Sequence, residues 1–561
     1  MMPTGAFFCS KEGDSLMAEF YTRYIHETFD EEGQISRWSY DYPENFNYGY
    51  DVIDPLARLV PDKQAMVWEN DRGERATLTF GDLSRLSTQG ANLLRARGMQ
   101  KGDVMMVALR SHWSYWIAAL AAHKLGVILV PVYYRLTASE LAYRMKTARV
   151  RCVLTCREGP AEENVRTAAA QAGVPLRFAL GQAPGFEDWL EALPAQPTTM
   201  ARVDTRWDEP ILLYFTSGTT GRPKGVLHIH AYTVSCHWGA RYMQDIHDGS
   251  RHFATGDTGW EVVSGTKFYG QWMLQGTVLV YDYDRFPPEK VLDFLAREKA
   301  TGIMAQPTVY RMLTQVGMDR YDLSSVTNCA VGGEKLSPDL ARVVLEQTGH
   351  VLYEGYAQSE AGLIASASKV MGRKEGSVGK ILPKYHVELL KDDGTFAAPG
   401  QEGEIVLVAD GGRRPLGLMA GYWEDEEANR RLWDGDLFHT GDLATKDEDG
   451  FLYYIGRADG LIKTKGYRVS PVEIENDLSL HPAVEECMAV GEPDPALGQR
   501  VKVYVKLAAG YAPGPALEEE LLSFYNDHCT GFKKIREMAF VDHLARNQNG
   551  KLIRSQFRSK D

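Results

Sequence analysis

No stretch of the chain stays apolar long enough to cross a bilayer. The most hydrophobic segment, residues 113–134, is broken by His123, Lys124 and Pro131 and reads as helix, turn and strand inside a core. No membrane span is expected. Cysteine is scarce: seven residues, odd in number and without C-x-x-C spacing, need no disulfide framework and point to reduced thiols in a cytoplasmic setting. Positive charge is in deficit, with 62 Lys and Arg against 75 Asp and Glu and a net charge of −13, which argues against a nucleic-acid binder while leaving room for a local phosphate site. No basic stretch followed by an apolar core opens the chain, so no signal peptide is expected. The nucleophile elbow G-x-S-x-G is missing, which argues against a serine hydrolase. His228, His230, Cys236 and His237 cluster in sequence without any zinc-site spacing, and a metal reading of them is set aside.

What is present exceeds a single core, since 561 residues call for two or more domains. Residues 1 to about 50 are polar and aromatic without a clean period, and are expected to lie as an arm on the main body. From Asp54 the pattern turns regular: strands over 66–68 and 77–80, a helix from Asp82 with Leu83, Leu86, Leu93 and Leu94 on one face, then strand, helix and strand over 104–130. This rhythm predicts a parallel sheet covered by helices on both faces. A linker over 194–203 leads to a second, similar round. Beyond Gly355 short strands with Gly, Asp and Pro turns predict a small β-barrel or sheet, and from 459 a compact mixed unit follows. The fold class expected is α/β: a large N-terminal domain, 1–458, of two parallel-sheet αβα subdomains plus a small β-barrel, and a small α+β C-terminal domain, 459–561.

The stretch Tyr214 to Gly225 reads Y-F-T-S-G-T-T-G-R-P-K-G. A buried parallel strand over 211–215 leads into a run of hydroxyls and glycines able to offer several donors to one polyanion. A Walker A loop needs Ser or Thr after its lysine and a helix starting there. Here Lys224 is preceded by Pro223 and followed by Gly225, so the loop has phosphate chemistry without Walker geometry.

This run resembles the signature loop of the adenylate-forming superfamily of acyl-CoA synthetases, adenylation domains and luciferases. Further stretches match in the right order, over nearly everything from about Asn45 onward. They are Val331-Gly332-Gly333-Glu334, Tyr353 to Glu360 (Y-E-G-Y-A-Q-S-E), Thr440-Gly441-Asp442, Gly456-Arg457-Ala458-Asp459, Lys463 to Arg468 (K-T-K-G-Y-R) and Asn549-Gly550-Lys551. The resemblance implies an ATP site of Thr216, Ser217, Gly218, Thr219, Thr220, Gly221, Lys224, Gly333, Glu334, Glu354, Gly355, Tyr356, Ala357, Gln358, Ser359, Asp442, Arg457 and Lys551. Within it Tyr356 stacks on adenine, Ser359 donates to the α-phosphate, Glu360 holds Mg²⁺ and Asp442 accepts the ribose hydroxyls. Lys551, Glu360 and Lys224 are implied as catalytic. Lys465, Gly466 and Tyr467 are implied to line the coenzyme A tunnel. Asp459 is implied as the hinge on which a mobile C-terminal lid turns.

The stretches Gly256-Asp257-Thr258-Gly259-Trp260 and Tyr269-Gly270-Gln271-Trp272 look most like the medium-chain acyl-CoA synthetases. Trp260, Gly332 and Ala357 then wall the acyl pocket. Acetate-specific relatives carry a bulky Trp at the position of Ala357, so a pocket for acids longer or more branched than acetate is expected. Departures from the family pattern gather toward the C-terminus: Asp459-Gly460 for Asp-Asp, Leu497 in an arginine's place, Ile535 in the Y-K-x-P element, and Leu544 to Lys551 in the closing motif.

The implied activity is an ATP-dependent, AMP-forming acyl-CoA synthetase of fatty acid metabolism: a small carboxylic acid attacks the α-phosphorus of ATP, pyrophosphate leaves, and the acyl-adenylate meets the thiol of coenzyme A. Its alternatives are an adenylating enzyme that loads a carrier-protein thiol and a non-catalytic acyl or nucleotide sensor. No oligomeric state follows from the sequence.

Overall fold

Two large sheets, each with parallel strands at its centre, organise the N-terminal part of the chain. The computed structural model describes residues 20–31, 33–216, 223–334, 336–458, 460–464, 467–529, 531, 533–546, 554 and 557. The first sheet runs in the order Gly421–Tyr422, Lys224–Ile229, Pro210–Thr216, Ile128–Pro131, Val104–Ala108, Cys152–Thr155, Leu176–Ala179 and Glu187–Asp188. Its strands are parallel except where Lys224–Ile229 meets its two neighbours. The strand before the phosphate loop is therefore parallel to Ile128–Pro131 on one side, as expected, and antiparallel to Lys224–Ile229 on the other.

The second sheet runs Lys380–Ile381, Gly362–Ser366, Leu352–Gln358, Asn328–Gly332, Gly302–Ala305, Arg251–Ala254, Thr277–Asp282, Gln64–Asn70 and Arg75–Thr79. Chain order suggested that the strands over 64–79 open the first sheet. Instead Gln64–Asn70 lies parallel to Thr277–Asp282, with Met66 opposite Val278 and Asn70 opposite Asp282. Consecutive strands are neighbours in most sheets but not in all, and this strand, with Ala65 to Trp68 buried in succession, takes the central-sheet pattern of a parallel strand covered on both faces.

Helices fill the layers as their patterns require. The helix Phe80–Ala96 starts on a capping box, Thr79 with Asp82, and buries Leu83, Leu93 and Leu94. The helix Ser114–Leu125 is buried on every side, which is why its sequence is apolar all round, and it ends on a left-handed Gly126. One charge lies inside it. Lys124 is fully buried, and its ammonium contacts Asp54 Oδ1 at 2.6 Å, Thr88 Oγ1 at 2.8 Å and the Ser84 carbonyl at 3.2 Å. All three of its protons have acceptors.

The described part of the N-terminal arm is a hairpin, Ile25–Phe29 with Ile35–Tyr40. Trp38 meets Trp238 edge to face at 5.5 Å, and buried Glu27 pairs with His237 and Arg241, each at 3.2 Å. The described cysteines are all free thiols. Among the described residues no helix is long and apolar enough to cross a membrane.

The chain divides into two compact units, 1–386 with 409–436, and 387–408 with 437–561. In the second, Val387–Leu390, Glu402–Val408, Leu437–Lys446 and Leu452–Arg457 pair antiparallel in succession, where a barrel or sheet of short strands was expected. A further sheet follows, in which Ile535–Phe540 runs parallel to Gly498–Leu507 and Val484–Asp494 antiparallel to it. Against this sheet lie the helices Pro471–Leu478 and Pro515–Asn526, whose Ile474, Leu478, Leu521 and Tyr525 enter its core.

Candidate active site

Two antiparallel strands flank the stretch expected to hold phosphate: Thr216, the last residue of one, stands opposite Lys224, the first of the next. A Walker loop runs instead from strand into helix. Ser217, Gly218, Thr219, Thr220 and Gly221 lie outside the described residues, as do Asp459, Lys465, Gly466 and Lys551; Tyr467 opens the strand Tyr467–Val469.

Lys224 is joined to Glu360 through a residue that the sequence did not single out. Its ammonium sits 5.0 Å from the centre of the Tyr422 ring and 4.0 Å from Asp425 Oδ2. The Tyr422 hydroxyl donates to Glu360 Oε1 at 2.9 Å. A cation over the ring face and a carboxylate at the ring's polar end use both halves of one tyrosine. Gly421–Tyr422 forms the edge of the first sheet, Tyr422 opposite Val226, and this pairing delivers the ring to Lys224. The only advance signal was an aromatic beside a glycine.

Glu360 itself sits in a tight turn. Leu352–Gln358 pairs parallel with Asn328–Gly332, Gly332 opposite Gly355, and antiparallel with Gly362–Ser366, leaving Ser359, Glu360 and Ala361 as the link. In an open α/β sheet such strand ends are where ligands bind. Along Leu352–Gln358 the side chains alternate: Leu352, Glu354 and Tyr356 are buried, while Ala357 is exposed at a bulge. Tyr356, expected to stack on adenine, is 8% exposed, so most of its ring is covered. Glu334 accepts a bond from Thr308 Oγ1 at 2.7 Å, and Glu354 accepts one from the Leu336 N–H at 3.4 Å.

Trp260 is half-buried, tilted against Tyr133 with centroids 6.4 Å apart. Gly259 before it is required sterically: a Cβ there would lie 2.2 Å from the Tyr133 nitrogen and 2.3 Å from the Val132 carbonyl carbon. Gly259→Ala is expected to lower stability by about 1–3 kcal/mol through forced backbone displacement. Urea unfolding measures it, and a midpoint unchanged from the parent would contradict the steric reading.

The second unit brings Asp442 and Arg457 together as partners on adjacent strands. Asp442 is 3% exposed, 3.8 Å from Arg457 Nε, and accepts the Tyr454 hydroxyl at 3.2 Å. Arg457 also donates to the Thr440 carbonyl at 3.2 Å. A carboxylate and a guanidinium side by side offer acceptor and donor to a sugar or phosphate. Leu497, where an arginine was expected, sits on a turn capped by Asp494.

Two of the three clustered histidines are tied elsewhere, while both ring nitrogens of buried His230 lack a hydrogen-bond partner among the described residues. His237 meets Glu27, and His228 bonds the Ser359 carbonyl. Among the described residues no group of three or more His, Cys, Asp or Glu stands ready to hold a metal ion.

Comparison with known proteins matches two family models, AMP-binding enzyme over residues 55–423 and AMP-binding enzyme C-terminal domain over 473–551. The mitochondrial acyl-coenzyme A synthetase ACSM5 of Homo sapiens is 33% identical over 529 residues, 92% of this chain and 91% of that protein. ACSM4 of Homo sapiens, also mitochondrial, is 32% identical over 94% of this chain and 92% of its own. Among solved structures, the anthranilate CoA ligase AuaEII in complex with anthranoyl-AMP superposes with a TM-score of 0.82 at 25% identity, over 92% of this chain and 97% of that one. ATP-bound MatB from Rhodopseudomonas palustris gives 0.78 at 25% identity, over 90% and 98%.

Proposed function

The chain belongs to the AMP-binding enzymes, and from that premise we propose that it is an ATP-dependent, AMP-forming acyl-CoA synthetase. The observation that carries the adenylation step is the bridge from Lys224 through Tyr422 to Glu360. A carboxylate acylates poorly because oxide does not leave, so the acid must first displace pyrophosphate from ATP. Negative charge crowds at the α-phosphorus in that step, and preorganised cations and donors beside it lower the barrier. By the family resemblance, Lys224, the hydroxyls between Thr216 and Lys224, and Ser359 are assigned to supply them, Asp442 and Arg457 to hold the ribose and phosphates, and Lys551 to offset charge at the reacting centre.

The donor set suits Mg²⁺. Glu360 is a hard oxygen ligand oriented by Tyr422, and Mg²⁺ takes one or two carboxylates with the remaining places filled by substrate phosphates and water. When bound there it neutralises charge on the phosphate oxygens. The coenzyme A step is assigned to Lys465, Gly466 and Tyr467, reached when the segment 459–561 turns about Asp459 as a lid. Its support is the resemblance of the stretches 456–459 and 463–468 to the family's motifs, with the family C-terminal match beginning at residue 473. A cytoplasmic location remains our reading of the cysteines, while the named relatives are mitochondrial.

For the acid, we infer medium-chain or branched substrates from Ala357. It is exposed and small at the end of a strand whose next link carries Glu360. Ala357→Trp is expected to lower kcat/KM for hexanoate and octanoate at least about tenfold relative to acetate, since one or more methylenes lose their space. Chain-length profiles of the two proteins check this, and an unaltered profile would remove Ala357 from the pocket.

Pyrophosphate release with ATP, Mg²⁺ and a panel of acids, with and without coenzyme A, tests the whole reading. Release that requires an acid and turns over only with coenzyme A is expected. A single turnover despite coenzyme A points to a carrier-protein thiol as acceptor, and no release with any acid leaves the sensor reading.

A further inference from the structure

The link Ser359-Glu360-Ala361 has three consecutive carbonyls that the strand ladder does not use, and each finds a donor from a different segment. The Ser359 carbonyl accepts from His228 Nε2 at 2.8 Å. The Glu360 carbonyl accepts from the Met419 N–H at 2.7 Å. The Ala361 carbonyl accepts from the Tyr385 hydroxyl. With Tyr422 on the Glu360 side chain, the turn is held at four points. Backbone carbonyls out of reach of water must be paired, but two of these partners are costly choices. His228 and Tyr385 are full side chains buried for the purpose, 0% and 5% exposed.

His228 is shaped for one task. A carbonyl only accepts, so Nε2 carries the proton, and Nδ1 has no partner. Burial pushes the imidazole down to about 4, which keeps it neutral and the tautomer fixed through the physiological range. The ring stacks on Tyr232 at 4.0 Å and 29°, and the Tyr232 hydroxyl is itself anchored on Glu261. His228 also shares a strand with Lys224, four residues away and so on the same face. One strand thus carries both the phosphate-loop lysine and the prop beneath Ser359. Tyr385 is reached by close backbone approach: a Cβ on Gly417 would lie 2.7 Å from the tyrosine oxygen.

We propose that His228 and Tyr385 are positioning residues for adenylation, holding the Ser359 and Ala361 carbonyls so that the Ser359 hydroxyl and the Glu360 carboxylate meet the α-phosphate and its metal in fixed geometry. Both are assigned to act through the turn, by their bonds to its backbone carbonyls. The proposal rests on the synthetase reading above. Its magnitude follows from positioning: a displacement of about 1 Å at reacting groups costs about a hundredfold in rate.

The test is the pre-steady-state burst of acyl-adenylate and pyrophosphate without coenzyme A, in the full chain and in Tyr385→Phe, His228→Leu and His228→Gln. The ATP dissociation constant and the melting temperature are measured on each. Tyr385→Phe and His228→Leu are expected to slow the burst about ten- to a hundredfold, with burst amplitude near that of the parent and ATP affinity little altered. His228→Gln, which keeps an N–H at the Nε2 position, is expected to recover most of the rate. A purely structural role would instead reduce amplitude and melting temperature while the surviving molecules react at the parental rate. That result, or a parental rate in folded Tyr385→Phe, overturns the proposal. Tyr385→Phe removes a single oxygen, so it keeps the test open where His228→Leu fails to fold. Absence of acid-dependent pyrophosphate release in the unaltered chain would count against the synthetase reading alone.

Discussion

Replacing Lys551 with alanine is expected to slow acid-dependent pyrophosphate release by about a hundredfold to a thousandfold, the loss seen when one preorganised donor to a developing charge is removed. The lysine near the chain's end is implied by the resemblance of Asn549-Gly550-Lys551 to the family's closing motif. Its task is specific to the first half-reaction, because only there does the α-phosphorus gather charge from two oxygens at once. The transfer from acyl-adenylate to coenzyme A, started with synthetic acyl-adenylate, should run at nearly the parental rate in the same variant. Rapid-quench measurement of both halves separates them. Equal slowing of the two would mean that Lys551 supports the fold or the nucleotide generally, and a loss under about tenfold would remove it from the chemistry.

Asp54→Ala is expected to cost about 3–5 kcal/mol of folding stability, among the largest single-residue effects in the chain, because it strands the ammonium of Lys124 in the core. The pair is 2.6 Å apart, with Lys124 fully buried. Thr88 and the Ser84 carbonyl remain as neutral acceptors but supply no countercharge. Lys124→Met with Asp54→Ala is expected to restore most of the loss, since an apolar pair of similar volume avoids the desolvation of both charges. Guanidinium unfolding of the parent, the single variant and the double variant forms the test. A single variant within about 1 kcal/mol of the parent would mean that water reaches the ammonium once the carboxylate is gone.

Local chemistry was legible in the sequence and tertiary partnership was not. The phosphate loop could be read because Thr216, Lys224 and the residues between them are contiguous. That the strand opened by Lys224 pairs antiparallel with the one ending at Thr216 is something no spacing rule states. The turn bearing Ser359 and Glu360 was legible for the same reason. Its supports were not, because His228, Tyr385, Met419 and Tyr422 come from segments up to about two hundred residues apart. Lys124 showed itself only as a charge interrupting an apolar run, and its partner Asp54 lies 70 positions away. The arm escaped because its hairpin is short and aromatic on both strands, so that Trp38 and Tyr40 read as composition without a period. Strand alternation places Tyr356 among the buried residues Leu352 and Glu354, a placement that the motif alone does not state.

The strands at 64–79 set an order of events for a chain emerging from the ribosome. Their parallel partner, Thr277–Asp282, is made some two hundred residues later, a wait of about 10 to 40 s at ordinary rates of synthesis. During that interval a β-hairpin rich in apolar side chains, with Met66, Val67 and Trp68 destined for burial, has no sheet to join. Its own two-stranded pairing is only marginally stable. The N-terminal half is therefore not expected to mature as an independent folding unit, and a fragment ending before Thr277 is expected to need a chaperone or to aggregate through this exposed edge.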